Sequence, residues 1–218
     1  MVYSAWQRLL LTLYVFVLGW WFRLGKVPLS KLVNLLQPGL PPTLHSFGDL
    51  GDFAQWWQQH TDWKADPFNG AFDIFPKLTH AEWQWAHGGI FRDDCDGLAY
   101  LAANQIKPFA DAASEVFVVT VITDPFSWGK QGMLMAPHVI CLFRRAGRWQ
   151  MVSNSLIFAD TWLDFEEALQ ENPYAFGHPL LCYEVGDANL RFVRRKRFPL
   201  PSSKPAVRAI IPPGMGDF

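Results

Sequence analysis

An α+β fold, with a helix packed on an antiparallel sheet, is predicted by three features of the sequence. Val116–Thr123 reads VFVVTVIT, a nearly unbroken β-branched run of the kind that forms a buried strand. Two apolar pairs follow: residues 138–144 and 148–154 flank Arg145-Ala146-Gly147, and residues 180–185 and 190–195 flank Gly186-Asp187. Before all of these, Asp93 or Asp94 caps a helical pattern that runs to about Ile106. Helices first and antiparallel strands afterwards is an α+β layout.

The elements can be justified in order. Residues 9–22, LLLTLYVFVLGWWF, carry no charge and are bounded by Arg8 and Arg23. A bilayer span needs about 17–20 apolar residues. Three readings therefore stand for residues 1–36: a short membrane anchor, an interfacial helix, or a buried helix of the fold. Trp20 and Trp21 beside Arg23 resemble an interface belt. No small-residue cleavage site follows, which disfavours a removed signal peptide. Were the segment to span, the excess of Arg23, Lys26 and Lys31 over Arg8 would place the C-terminal part in the cytoplasm.

Residues 28–36 can form a short second helix, with Pro28 and Ser30 near its start. Gln37-Pro38-Gly39-Leu40-Pro41-Pro42 breaks the chain and is the best linker, so a folded domain is expected over 43–198. A helix from about Asp52 to Lys64 follows, then a turn at 66–70. A further helix over 79–86 has Thr79 as cap, Glu82 completing a capping box, and Gly88-Gly89 as its stop. Residues 124–137 read as a loop. Residues 161–170 form an amphipathic helix. The tail, 199–218, is rich in proline and expected to be extended or disordered.

Composition narrows the function. The 218 residues suffice for one good-sized core, with little left for a second full domain. The net charge of -1 lacks the basic excess of a nucleic-acid binder. The one basic cluster, residues 194–197, reads as a solvated strand end. Three widely spaced cysteines, Cys95, Cys141 and Cys182, make no disulfide framework and no CxxC pair. At least one thiol is left for other chemistry.

Cys95 is the candidate nucleophile. The run Arg92-Asp93-Asp94-Cys95-Asp96-Gly97-Leu98-Ala99 sets it in the first turn of its helix. Unpaired N–H groups and the positive dipole end there favour a thiolate. The Cys95 N–H can also face a developing oxyanion. Gly97 is expected to leave room near the thiol. Three aspartates oppose thiolate formation, so a cationic partner is required, and histidine is the obvious one. Cys141, three residues from His138 and on the opposite strand face, and Cys182 read as core.

Asp94-Cys95-Asp96-Gly97-Leu98-Ala99 resembles the nucleophile motif of transglutaminase-like cysteine peptidases, where an acidic-flanked cysteine opens a helix. It is also similar to the Asp-Cys-Ser-Gly-Leu run of NlpC-type peptidases, although Asp96 fits the first family better. Both belong to the papain-like group. The resemblance covers roughly residues 75–160 and implies the order cysteine, histidine, polar orienter. His138 follows at a suitable distance on a strand, and the next strand ends in Asn154, where family members usually carry Asp.

The hairpin register tests that pairing. A three-residue loop, Arg145-Ala146-Gly147, puts glycine at a left-handed position and sets His138 directly opposite Asn154. A two-residue loop, Ala146-Gly147, sets Ser155 opposite His138 and turns Asn154 to the other face. The position of the glycine favours the first. The expected triad is thus Cys95, His138 and Asn154, acting on a protein or peptide substrate by acyl transfer. Hydrolysis is the first expectation and amine transfer or deamidation the second. A non-catalytic module that keeps the fold is the rival.

Other features point to less. His80 and His87 with Glu82 match no strong zinc spacing, so neither metal nor cofactor is expected. Trp83 and Trp85 read as core packing. Phosphate-binding glycine loops and the Gly-x-Ser-x-Gly motif are absent.

Overall fold

A computed structural model describes residues 3–41, 47–64, 74–131, 136–171, 175 and 177–199. Its helices are α1 (Ala5–Trp20), α2 (Val27–Asn34), α3 (Leu50–His60), α4 (Leu78–Gly88), α5 (Cys95–Gln105) and α6 (Phe165–Glu171). Two short strands, β1 (Thr61–Trp63) and β2 (Phe91–Asp93), pair in parallel. Six more, β3 (Val116–Thr123), β4 (Pro137–Arg145), β5 (Arg148–Ser153), β6 (Leu156–Ile157), β7 (Leu180–Asp187) and β8 (Phe192–Arg197), form an antiparallel sheet in the order β6-β5-β4-β3-β7-β8. The mixed helix-and-sheet class and the apolar N-terminal helix are as the sequence predicts.

The β-branched run becomes β3 at the centre, because only a strand covered on both faces can hide apolar residues at consecutive positions. Val116, Val118, Val139, Cys141, Phe143 and Val152 face α5. Val119, Val121, Ile140, Leu142 and Met151 face α6 on the other side. Odd and even positions of one strand thus serve two cores.

Several boundaries differ from expectation. α3 stops at His60 because Thr61 turns extended and residues 61–63 pair with 91–93; three residues carry no periodicity to announce a strand. α4 begins one residue early with Lys77 at its cap, and no side chain caps it. The Thr79–Glu82 capping box is therefore absent, and Glu82 is buried instead. Gly89 ends the helix at φ 73, as expected. α6 starts at Phe165 rather than 161, because Asp164 Oδ1 accepts from the Glu166 and Glu167 N–H groups. Thr161 is occupied by Arg148, whose Nε donates to its Oγ1 at 2.6 Å. β7 runs to Asp187 and reverses over 188–190, where Asp187 Oδ1 accepts from Asn189 and Arg191. The expected turn at 66–70 lies outside the described residues, as does the tail beyond Pro199.

The basic run on β8 divides by strand alternation. Arg194 lies over the Phe165 ring and Lys196 pairs with Glu166, both holding α6. Arg195 points the other way and donates to the Val15 carbonyl of α1 at 2.8 Å. As expected of a solvated strand end, Arg194, Lys196 and Arg197 are exposed, while the half-buried Arg195 reaches α1.

α1 lies against this edge through Leu11 and Val15, which pack with Ile122, Leu181 and Cys182. Ser4 caps it in a capping box with Gln7, and the Tyr3 hydroxyl donates to the Asp124 carboxylate. After α1 the helix widens into a π segment over Trp21–Lys26. The segment delivers Lys26, fully buried, to the equally buried Asp96 of α5, and the two form an ion pair. Ser30 donates to the Lys26 carbonyl and accepts from the Phe75 N–H, and the Lys26 ammonium stands 4.7 Å from the Phe75 ring centre.

A buried charge stripped of its partner is far more costly than a neutral replacement of both. Lys26→Met should therefore lower stability by roughly 3–5 kcal/mol. The double variant Lys26→Met/Asp96→Asn should recover most of that loss. Urea unfolding of the three proteins checks both statements.

Candidate functional site

Asp94, extended at the N-cap, accepts on Oδ1 from the N–H groups of Asp96 and Gly97, at 3.2 and 3.5 Å. Cys95 is accordingly the first residue of α5. It is half-buried, whereas Cys141 and Cys182 are buried, and none of the three forms a disulfide. Burial pushes the Cys141 thiol well above its ordinary range.

The aspartates around Cys95 each have a structural task. Asp94 caps the helix. Asp93 Oδ1 accepts from the Asp94 N–H at 2.9 Å, and its carboxylate lies where a Cβ on Gly97 would sit. The space expected beside the thiol at Gly97 is therefore filled by Asp93. Asp96 is neutralised by Lys26. The cation that offsets this aspartate lies 70 residues upstream, among the basic residues that flank the apolar N-terminal segment.

Two routes bring β4 and α5 into register. Beyond α5, the Asp111 N–H donates to the Arg144 carbonyl and its carboxylate accepts from Ala146 and Gly147, at the tip of the β4–β5 hairpin. α5 thus ends near the end of β4, and its first turn points toward the start of β4, where His138 lies. Independently, Trp57 of α3 donates its indole N–H to the Asn154 carbonyl at 3.0 Å. The chain then enters β1, which pairs with β2, which leads directly into Cys95. Cys95 packs on the α5 side of the sheet, whereas His138 alternates with Ile140 and Leu142 toward the α6 side.

The hairpin register differs from the expected one. Arg145 pairs with Arg148 and Cys141 with Val152, so the turn holds two residues, Ala146 at φ 50 and Gly147 at φ 75. Paired left-handed residues match the twist of a tight two-residue hairpin. Asn154 is therefore not opposite His138. It sits in the β5–β6 turn at φ 52, a conformation asparagine tolerates, and its Oδ1 is buried without a hydrogen-bond partner among the described residues.

Ser153 takes the place next to the imidazole. Its Oγ lies 2.8 Å from His138 Nε2, in a hydrogen bond within the protein interior. Continued past its last pair, the register sets His138 opposite position 155, so residue 153 shares its face. The two-residue reading of the turn would have found Ser153. His138 pairs with Val121 and is buried, and burial holds its pKa down at about 3. The imidazole is neutral, with Nδ1 as the second ring nitrogen.

His80 and His87 hold no metal geometry: Trp83 stacks between them, and among the described residues no group of three potential ligands gathers. Trp85 packs on the main core as expected, and its indole donates to the His60 carbonyl. Compared with known proteins, the chain matches no family model, no curated protein and no solved structure.

A histidine held below its unfolded value opposes protonation of the folded state. The unfolded chain takes up a proton near pH 6.5 that the folded protein refuses until about pH 3. Stability contributed by neutral His138 is complete above 6.5 and falls as the pH drops through that window. Wild type should lose up to about 2 kcal/mol more than His138→Gln between pH 6.5 and 5. Denaturant titrations at the two pH values measure the difference.

Proposed function

We propose that the protein is a thiol-dependent acyl-transfer enzyme of the transglutaminase-like, papain-like kind, acting as a peptidase or amidohydrolase on a protein or peptide. The observation that carries this reading is the buried His138, held at Nε2 by Ser153 at the end of the sheet toward which Cys95 opens α5. If Nε2–H donates to Ser153, Nδ1 carries the lone pair of a base. Strand alternation sends the ring out on the face of Ile140 and Leu142. Cys95 packs on the opposite, α5 side, so in this reading the thiol has to reach the imidazole around the start of β4 rather than through the sheet.

In this mechanism His138 Nδ1 takes the Cys95 proton. The thiolate, favoured by the helix N-terminus, stabilises the imidazolium that burial alone disfavours. The sulfur attacks an amide carbonyl, and the Cys95 N–H faces the oxyanion. His138 returns its proton to the leaving amine, and water resolves the thioester. Ser153 orients the ring as a neutral group, so it fixes the tautomer without adding the negative charge of an aspartate.

Alkylation by iodoacetamide from pH 4 to 9, read for each thiol by mass spectrometry, tests the reading. Cys95 should react below pH 7, where a thiol ionising near 8.5 is slow, and His138→Ala should abolish that reactivity. Ser153→Ala should slow it roughly tenfold or more. Asn154→Gly, which suits the left-handed turn, should leave it unchanged. A Cys95 that reacts as an ordinary thiol in every variant would overturn the enzyme reading in favour of a binding module.

A further inference from the structure

α1 carries apolar residues both on its protein-facing side and on the side opposite, and only the first is covered. Leu11, Val15 and Gly19 are buried against the sheet edge. On the opposite side Trp6, Leu9, Leu13, Phe16, Val17 and Trp20 form an unbroken stripe at helical spacing, each 49–65% exposed. No polar side chain interrupts it, because Gln7, Arg8 and Thr12 fall on the flanks of the protein-facing side. A contiguous apolar stripe of this length is normally covered, so a second apolar medium is required for the free half.

We propose that this stripe seats the protein in the surface of an anionic lipid bilayer, with α1 lying in the plane of the interface. Charge selects lipid over another protein copy. All 20 acidic residues of the chain lie after residue 48, while Arg8, Arg23, Lys26 and Lys31 precede it. Lys31 is exposed and available to phosphate headgroups. Two copies meeting through α1 would bring like charges together. Tryptophans stand at both ends of the stripe, Trp6 at the start and Trp20 and Trp21 at the finish, where an in-plane helix places amphipathic rings at headgroup depth.

Packing excludes a span. The covered half of α1 is held by Arg195, whose guanidinium bonds the Val15 carbonyl midway along the helix, and by Tyr3 on Asp124. A transmembrane orientation would carry this arginine and its sheet edge into the hydrocarbon core. The inference does not depend on the chemistry at Cys95, and its test does not read that chemistry.

The test is co-flotation of the full chain with phosphatidylcholine vesicles, with and without phosphatidylglycerol, at low and high salt. Binding should be strong with the anionic lipid and weaken with salt. Leu13→Glu/Phe16→Glu should lower partitioning by more than about a hundredfold. Its circular dichroism and unfolding midpoint should not change, since both side chains are exposed. Quenching of tryptophan by brominated lipids should be strongest from bromines near the headgroups. Three results would overturn the proposal: a monomer that stays off every vesicle, a dimer broken by the same substitutions, or quenching strongest from bromines at the bilayer centre.

Discussion

The Lys26–Asp96 ion pair is the constraint on which the arrangement of this protein turns. Both groups are removed from water, and Asp96 accepts no hydrogen bond from the rest of the described residues. Lysine is its compensation. An uncompensated carboxylate at that depth costs several kcal/mol, so the folded state exists only with residues 21–26 docked on the first turn of α5. The π segment meets this requirement by turning Lys26 inward while α1 stays against the sheet edge. The N-terminal helices are thereby tied to the helix that carries Cys95, by chemistry as well as by apolar contact.

That tie also shapes the electrostatics near the thiol. A cysteine among three carboxylates would resist ionisation. Here one carboxylate is consumed by helix capping, one by a backbone N–H, and one by a buried ammonium. What remains at the Cys95 backbone is the positive end of the α5 dipole, which favours negative charge. On the sheet side burial keeps His138 neutral, the state of a base, and a neutral serine orients it. In the proposed acyl transfer the imidazolium would be offset by the Cys95 thiolate, since the neighbouring carboxylates are already engaged.

The same N-terminal segment serves two surfaces. Its inner half completes the protein through Leu11 and Val15, and its outer half is a continuous apolar stripe. This explains why hydropathy alone was ambiguous between core and membrane for residues 9–22. Composition averages over the circumference of a helix, whereas burial is decided face by face.

Local patterns in the sequence determined much of the fold. Consecutive β-branched residues can only be a doubly covered strand, so β3 was legible. Asp94 before an apolar run had to cap α5, which placed Cys95 at a helix start. These outcomes rest on interactions within a few residues. Tertiary structure decided the rest. Backbone twist chose the two-residue turn at Ala146-Gly147, moving Asn154 into a β-turn and bringing Ser153 to His138. The parallel pairing of 61–63 with 91–93 needs partners 30 residues apart and leaves no periodic trace. Lys26 found Asp96 across 70 residues, because a buried charge takes whichever opposite charge the fold brings near, and no local pattern records that choice.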